Sequence, residues 1–368
     1  MREEKIRVVY ATNAAIHHTK ILCEAFLNNN EVEDFHLIIT ESLNEEYINL
    51  GLNEDADNSY IIDARKDKQA AINVINACDL MLGTYYASDL MQERIASGKL
   101  TFITSERIFK PYNSLFVNIA KNIARWFKFK LLLTKYHYYN ENIYFLLIGH
   151  YAPRDYIKLG IKKEHILKFG YFPALNVTNR ENYFLDDVVH LLWVGRLVAW
   201  KHPEYAVRVC KYLTQKGYHV DLKIVGNGAE EANLRQEAQG YENIYLLGGL
   251  PTEQVRKIMS ESDIFLFTSN QAEGWGVVLN EAMSEGMCVI ASESAGSTNE
   301  LIKDGTNGKI YSLDSLTDLK AVTEQIINHK EEIPKLGQQA QLTIKENWSA
   351  TAAIENLIKK YRDLKMRS

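Results

Sequence analysis

The chain has 368 residues, 46% apolar and 24% charged, with 20 Gly, 6 Pro and a formal net charge of −5. That length predicts two domains, each able to bury its own core, and excludes a small disulfide scaffold, while the composition excludes collagen-like and disordered classes. The acidic balance disfavours nucleic acid as a partner and leaves only a local basic patch to argue otherwise.

Strand-like apolar runs alternate with helix-period segments from end to end, the pattern of parallel sheets covered by helices. The N-terminal stretch MREEKIRVVYATN has no apolar run followed by a small-residue cleavage site, so export is not expected. In the first half, residues 5–11, 35–40, 80–83, 100–104 and 144–149 are the predicted strands. Residues 113–139 contain no acid but carry Lys121, Arg125, Lys128, Lys130 and Lys135 beside Phe116, Ile119, Ile123, Trp126, Phe127 and Phe129. Lys121, Arg125, Lys128 and Lys135 recur at helical spacing and Phe116, Ile119, Ile123 and Phe127 form a second stripe, so a basic amphipathic helix is predicted. Two readings are equal at this stage: a contact with an anionic membrane surface, or a core-packed helix with a solvated basic face.

Residues 171–187, with Pro173 and no sustained periodicity, form the expected linker, and the boundary is drawn between 181 and 182. Beyond it, strands are predicted at 189–194, 221–225, 244–247, 264–268 and 288–291, with helices at 202–215 and 252–261. The expectation is an N-terminal Rossmann-like domain over 1–181, a second over 182–348, and a last helix within 349–368 that caps either one. Cys23, Cys78, Cys210 and Cys288 stand far apart in apolar or helical contexts, as reduced cytosolic thiols do, which argues against zinc or redox pairs. No apolar run approaches the ~20 residues that cross a bilayer. The expected location is the cytoplasm, with peripheral attachment to the inner face of the membrane if the basic helix binds lipid.

The most informative stretch runs from Ser269 to Met283. A strand is predicted to end at Thr268, a loop with Gly274 and Gly276 to follow, and a helix to open near Gly276. Amides at a helix start lack intrahelical partners and suit a phosphate. Glu281 lies within that helix, where its carboxylate could accept from ribose hydroxyls, and Glu273 could meet hydroxyls further along the same ligand. The alternative is that both are solvated acids and the glycines merely shape a turn. Upstream, the strand 191–194 ends in Gly195 and Arg196, with Lys201 next, and these cations could neutralise a diphosphate. Against this stand an Arg paired to a local carboxylate and a Lys in solvent.

Several separated motifs in one order resemble the family-4 glycosyltransferases of the two-domain GT-B architecture. They are Gly195-Arg196 with Lys201, Ile224 to Gly228, Gly248, Ser262-Asp263, Ser269, Glu273 to Glu281, Gly286 and Asn299-Glu300. The resemblance implies an α/β fold of two doubly wound domains facing across a cleft, and transfer of a hexose-like sugar with retention of configuration. It implies a nucleotide diphosphate sugar as donor, a UDP-sugar foremost. No cofactor or metal is expected, because no clustered Asp, His or Asp-x-Asp signature stands near the site and Arg196 with Lys201 can supply the charge. The basic helix alone points to bacterial-type polysaccharide or glycolipid synthesis as the setting. Arg196 and Lys201 would hold the diphosphate, Glu281 the ribose and Glu273 the donor sugar. Gly195, Gly226, Gly248 and the backbone of Gly274, Trp275, Gly276, Val277 and Val278 would line the nucleotide.

The first half matches more loosely. Where relatives often have a glycine-rich loop this chain has Thr12 to His18, whose Ala14 and Ala15 could still admit a ligand to the backbone. Glu106 stands where many relatives carry a His or Asp near the acceptor, and it orients the hydroxyl, acts as a base or simply pairs with Arg107. His17 and His18 are further acceptor candidates or loop-packing residues. The acceptor would be a glycan or a lipid-linked sugar. A nucleotide-sugar epimerase of the same architecture and a catalytically silent partner of another glycosyltransferase are the alternatives.

Overall fold

The computed structural model describes residues 4–14, 17–42, 59–111, 115–175, 187–312 and 315–367. The chain divides into two compact units, one of residues 1–174 with 349–368 and the other of residues 175–348. Expected linker residues 176–186, with the 181/182 boundary, lie outside the described residues, as do Ala15 and the side chains of His17 and His18. The last helix, Ala350–Lys365, belongs to the first unit. Ser349 caps it by accepting from Ala352 N, and Arg362 ties it to Glu31 and to the Glu4 carbonyl.

Among the described residues, seven parallel strands build the first unit: β1 (Ile6–Thr12), β2 (Val32–Ile39), β3 (Ile61–Asp63), β4 (Leu80–Gly83), β5 (Thr101–Ser105), β6 (Ile143–Ile148) and β7 (Ile166–Phe169). Their spatial order is β3-β2-β1-β4-β5-β6-β7. Central strands are covered on both faces, which explains why β4 reads Leu-Met-Leu-Gly with every residue buried rather than alternating. Arg94, 1% exposed on the Ser88–Ala96 helix, is this unit's internal clamp. Its guanidinium donates to the carbonyls of Ile75, Cys78, Asp79 and Leu100 and to Thr101 Oγ1 at 2.8–3.2 Å. Arg94→Met keeps the volume but strands four carbonyls, so we expect a loss of ~3 kcal/mol or more in the denaturant stability of this unit. A loss under ~1 kcal/mol would show that water replaces the clamp.

The second unit has six parallel strands: β8 (Val189–Val194), β9 (Val220–Val225), β10 (Ile244–Gly248), β11 (Ile264–Phe267), β12 (Cys288–Ser292) and β13 (Lys309–Tyr311). The order is β10-β9-β8-β11-β12-β13. The chain thus runs outward from β8 to β10, returns past β8 and continues from β11 to β13. Ligands of such sheets bind beyond the carboxyl ends of the two strands where the direction reverses. Here those strands are β8 and β11, paired through Leu191 with Ile264 and Leu192 with Phe265. Leu191, Leu222, Ile264 and Ile290 from four neighbouring strands share one buried cluster, each giving ~1.5–3 kcal/mol of gross burial energy. The predicted strands agree with these to within about three residues at either end, whereas β3, β7 and β13 were not anticipated.

All four cysteines are free and buried. Burial pushes the thiols of Cys23, Cys210 and Cys288 up to about 12, so they stay protonated and behave as small apolar groups. No described helix is long and apolar enough to cross a membrane.

Candidate active site

The reversal point of the second unit is built from the turns that leave β8 and β11. After β8, Gly195 N donates to Val225 O at 3.0 Å and Leu197 N to Asn227 O at 2.8 Å, so this turn is laced to the end of β9. Gly226, with φ +143°, is required there: a Cβ would lie 1.8 Å from Gly195 O. Gly226 N in turn donates to Gly248 O at 2.8 Å. Gly195, Gly226 and Gly248 therefore each have a backbone-packing role that does not depend on a ligand.

A short 3₁₀ turn, Ala199–Lys201, follows, and His202 is held in the left-handed region at φ +46°. The turn is clamped from β11. Thr268 Oγ1 accepts from Trp193 Nε1 at 2.8 Å and donates to Lys201 O at 2.6 Å, and Asn270 N donates to Trp200 O at 2.9 Å. Thr268, Asn270 and His202 are positioning groups that the sequence did not single out, because the contacts span 66 to 75 residues.

Arg196 is exposed, its guanidinium 5.4 Å from the Trp200 ring centre, and it pairs with no carboxylate among the described residues. Lys201 is not in solvent. Its Nζ is ion-paired to Glu273, and Ser269 Oγ lies 3.4 Å from the same carboxylate oxygen. The two residues expected on different parts of a donor are thus each other's partners.

The loop 269–277 leads into the helix Val278–Ser284, two residues later than expected. Gly276, at φ +84°, packs under Phe267, where a Cβ would lie 2.4 Å from the ring. Trp275 was expected to offer its backbone, and its side chain is turned into the core. Its indole is buried, donates to Asn280 Oδ1 at 2.7 Å and packs on Trp348, so only its backbone could face a ligand. Gly274 abuts the next loop, with Gly296 N donating to Glu273 O at 3.1 Å. Val277 and Val278 form the half-exposed start of the helix.

Glu281 is half-buried, and its carboxylate accepts no hydrogen bond from any described residue. Burial raises its pKa above the ordinary carboxylate value, with Glu285 adding to the rise and Arg256 opposing it. A carboxylate that is partly desolvated and unpartnered is poised to accept from a ligand's hydroxyls.

In the first unit, Ala14 is buried after β1, beyond the carboxyl end of a reversal-point strand. Glu106 is exposed and accepts from Tyr171 Oη at 2.5 Å. It does not pair with Arg107, which donates to Phe109 O and lies over the Tyr151 ring. The loop after Glu106 is pinned by buried Asp155, whose Oδ2 accepts from Ile108 N and Phe109 N at 2.8 and 2.9 Å.

With this geometry in hand, residues 178–343 match the family profile described as glycosyl transferases group 1. That stretch covers most of the second unit, which is thus similar to the group 1 glycosyl transferases. The chain is 27% identical to the alpha-D-kanosaminyltransferase of Streptomyces kanamyceticus over 188 residues, 50% of this chain and 48% of that protein. It is 35% identical to the amylovoran biosynthesis glycosyltransferase AmsK of Erwinia amylovora over 139 residues, 34% of each. The chain thus spans about half the length or less of the curated relatives it matches. Among solved structures, Anabaena HepE in complex with UDP-glucose superposes with a TM-score of 0.64 at 15% identity, covering 97% of this chain and 100% of that one. The lipopolysaccharide outer core galactosyltransferase WaaB, in its apo form, gives 0.68 at 16% identity over 96% and 99%. Both likenesses are of fold: the chain shares the GT-B fold.

Proposed function

We propose that the chain transfers a sugar from a nucleotide diphosphate sugar to an acceptor hydroxyl, with retention of anomeric configuration. The carrying observation is Glu281, a half-buried carboxylate without a hydrogen-bond partner among the described residues, beside a reversal point whose other turn bears Arg196 and Lys201. In this reading Glu281 accepts from the ribose hydroxyls, Arg196 and Lys201 neutralise the departing diphosphate, and Glu273 turns from Lys201 to the sugar as the donor binds. The diphosphate then takes the acceptor's proton as it leaves on the same face. Glu106 is assigned to the acceptor. A UDP-sugar is the favoured donor, supported by the UDP-glucose held by the similarly folded Anabaena HepE. A glycan or lipid-linked acceptor in polysaccharide or glycolipid synthesis is the favoured second substrate, and the cytoplasm the favoured place.

Thermal stabilisation by a panel of nucleoside diphosphates and their sugars tests the donor assignment, because a ligand that binds only the folded chain raises the midpoint. UDP and one UDP-sugar are expected to raise it; no shift with any of them counts against the reading. Positive charge supplied by Arg196 and Lys201 also predicts that turnover survives a chelator. Activity abolished by chelation and restored by one divalent metal would contradict that assignment.

A further inference from the structure

The helix Leu115–Lys135 has three faces, of which the fold packs one, while on the basic face Lys135 Nζ donates to Tyr136 Oη at 2.8 Å. Asn122, Arg125, Trp126, Phe129, Lys130 and Leu133 turn inward. Trp126 Nε1 donates to Lys158 O, Lys130 Nζ to Leu159 O, Arg125 to Ile108 O, and Leu133 is fully buried. Phe116, Ile119, Ile123, Phe127 and Leu131, at steps of three and four residues, are instead 51–84% exposed. A single exposed apolar side chain needs no explanation, but five in a continuous helical row of about four turns mark an interaction surface. Lys121, Lys128 and Lys135, all exposed, run along the row's other side, and residues 113–139 contain no acid.

We propose that this helix docks on an anionic lipid surface, lying in the interface with the apolar row in the acyl boundary and the lysines among the headgroups. Charge decides between occupants. A second copy meeting the same face two-fold would bring one basic row against another, whereas anionic lipid complements it. The rest of a chain with net charge −5 is repelled by the same surface, which orients the molecule with this helix toward it. The inference stands apart from the proposed reaction, and its test does not use turnover.

The test is flotation of the full chain with vesicles of phosphatidylcholine alone or mixed with phosphatidylglycerol, at low and high salt. Wild type is expected to float only with the anionic vesicles and to be released by salt. Lys121→Glu with Lys128→Glu should weaken this binding at least about tenfold, since each cation near the surface contributes severalfold. Ile123→Ser with Phe127→Ser and Leu131→Ser should weaken it as much at unchanged charge. Unaltered unfolding midpoints would assign both losses to the surface; a variant that unfolds is replaced by single substitutions from the same row. Absent or equal binding to both vesicle types would overturn the proposal, as would a charge-reversed variant that still floats. A concentration-dependent dimer dissolved by the serine variant would overturn it too, assigning the face to a second copy.

Discussion

Lys201→Met is expected to lower turnover of the complete donor by roughly 10²- to 10³-fold, the usual consequence of removing one preorganised donor to an anion that develops in the transition state. The methionine matches the lysine's length, and the turn that carries it is held by backbone and Thr268 contacts that do not involve Nζ, so its path should persist. Lys201 Nζ is ion-paired to Glu273, so the two residues are expected to act as a unit. The double variant Lys201→Met with Glu273→Gln should be scarcely worse than Lys201→Met alone, because effects of residues in contact do not add. Steady-state kinetics on the three variants checks both points. A Lys201→Met enzyme within threefold of wild type would remove Lys201 from the reaction.

Glu281→Gln should weaken UDP alone, and the full donor with it, by tenfold or more. A charged acceptor contributes ~1.5–3 kcal/mol to a hydrogen bond, and tenfold corresponds to ~1.4 kcal/mol. The pH dependence carries the same signature. Burial raises the Glu281 pKa in the free chain, while ribose hydroxyls donating to it favour the charged form. Affinity for UDP should therefore fall as pH drops through that raised value, earlier than for an ordinary glutamate, and Glu281→Gln should lack this component. Glu273→Gln is expected to act differently. It removes the charge that holds Lys201, so UDP affinity should be unchanged or tighter while turnover of the complete donor falls. Calorimetry across pH separates the cases. Equal losses of UDP affinity in both variants, or none in either, would contradict this division of roles.

Much of the fold was legible because the central strands announce themselves. Ile264–Phe267 is an uninterrupted apolar run buried on both faces, and so is Leu80–Gly83 with its closing glycine. The missed strands are short and lie at sheet edges, where three or four half-exposed residues leave no periodic signal. The candidate-site segments, Gly195 to Lys201 and Glu273 to Glu281, drew notice through strand ends, glycines and charges, and the structure sets both at the turns that leave β8 and β11. Their partnerships were not legible. The Lys201–Glu273 pair and the Trp193–Thr268 clamp join positions 72 and 75 apart, and nothing local in either segment records the other. Nor does sequence tell a ligand-facing Trp275 from a buried one, since its partners Asn280 and Trp348 come from separate elements. For the 115–135 helix, periodicity revealed an apolar row and a basic row but not which apolar residues the core takes. The fold uses Trp126, Phe129 and Leu133 and leaves the row from Phe116 to Leu131 outside.

The most direct measurement is a crystal structure of the chain with UDP bound. Both ribose hydroxyls are expected within hydrogen-bonding distance, ~2.6–3.2 Å, of the Glu281 carboxylate. The diphosphate is expected on Arg196 and Lys201, with Glu273 released from the Lys201 ammonium. UDP bound away from the β8 and β11 turns, or bound there with Glu281 untouched and the Lys201–Glu273 pair intact, would contradict the proposed donor site.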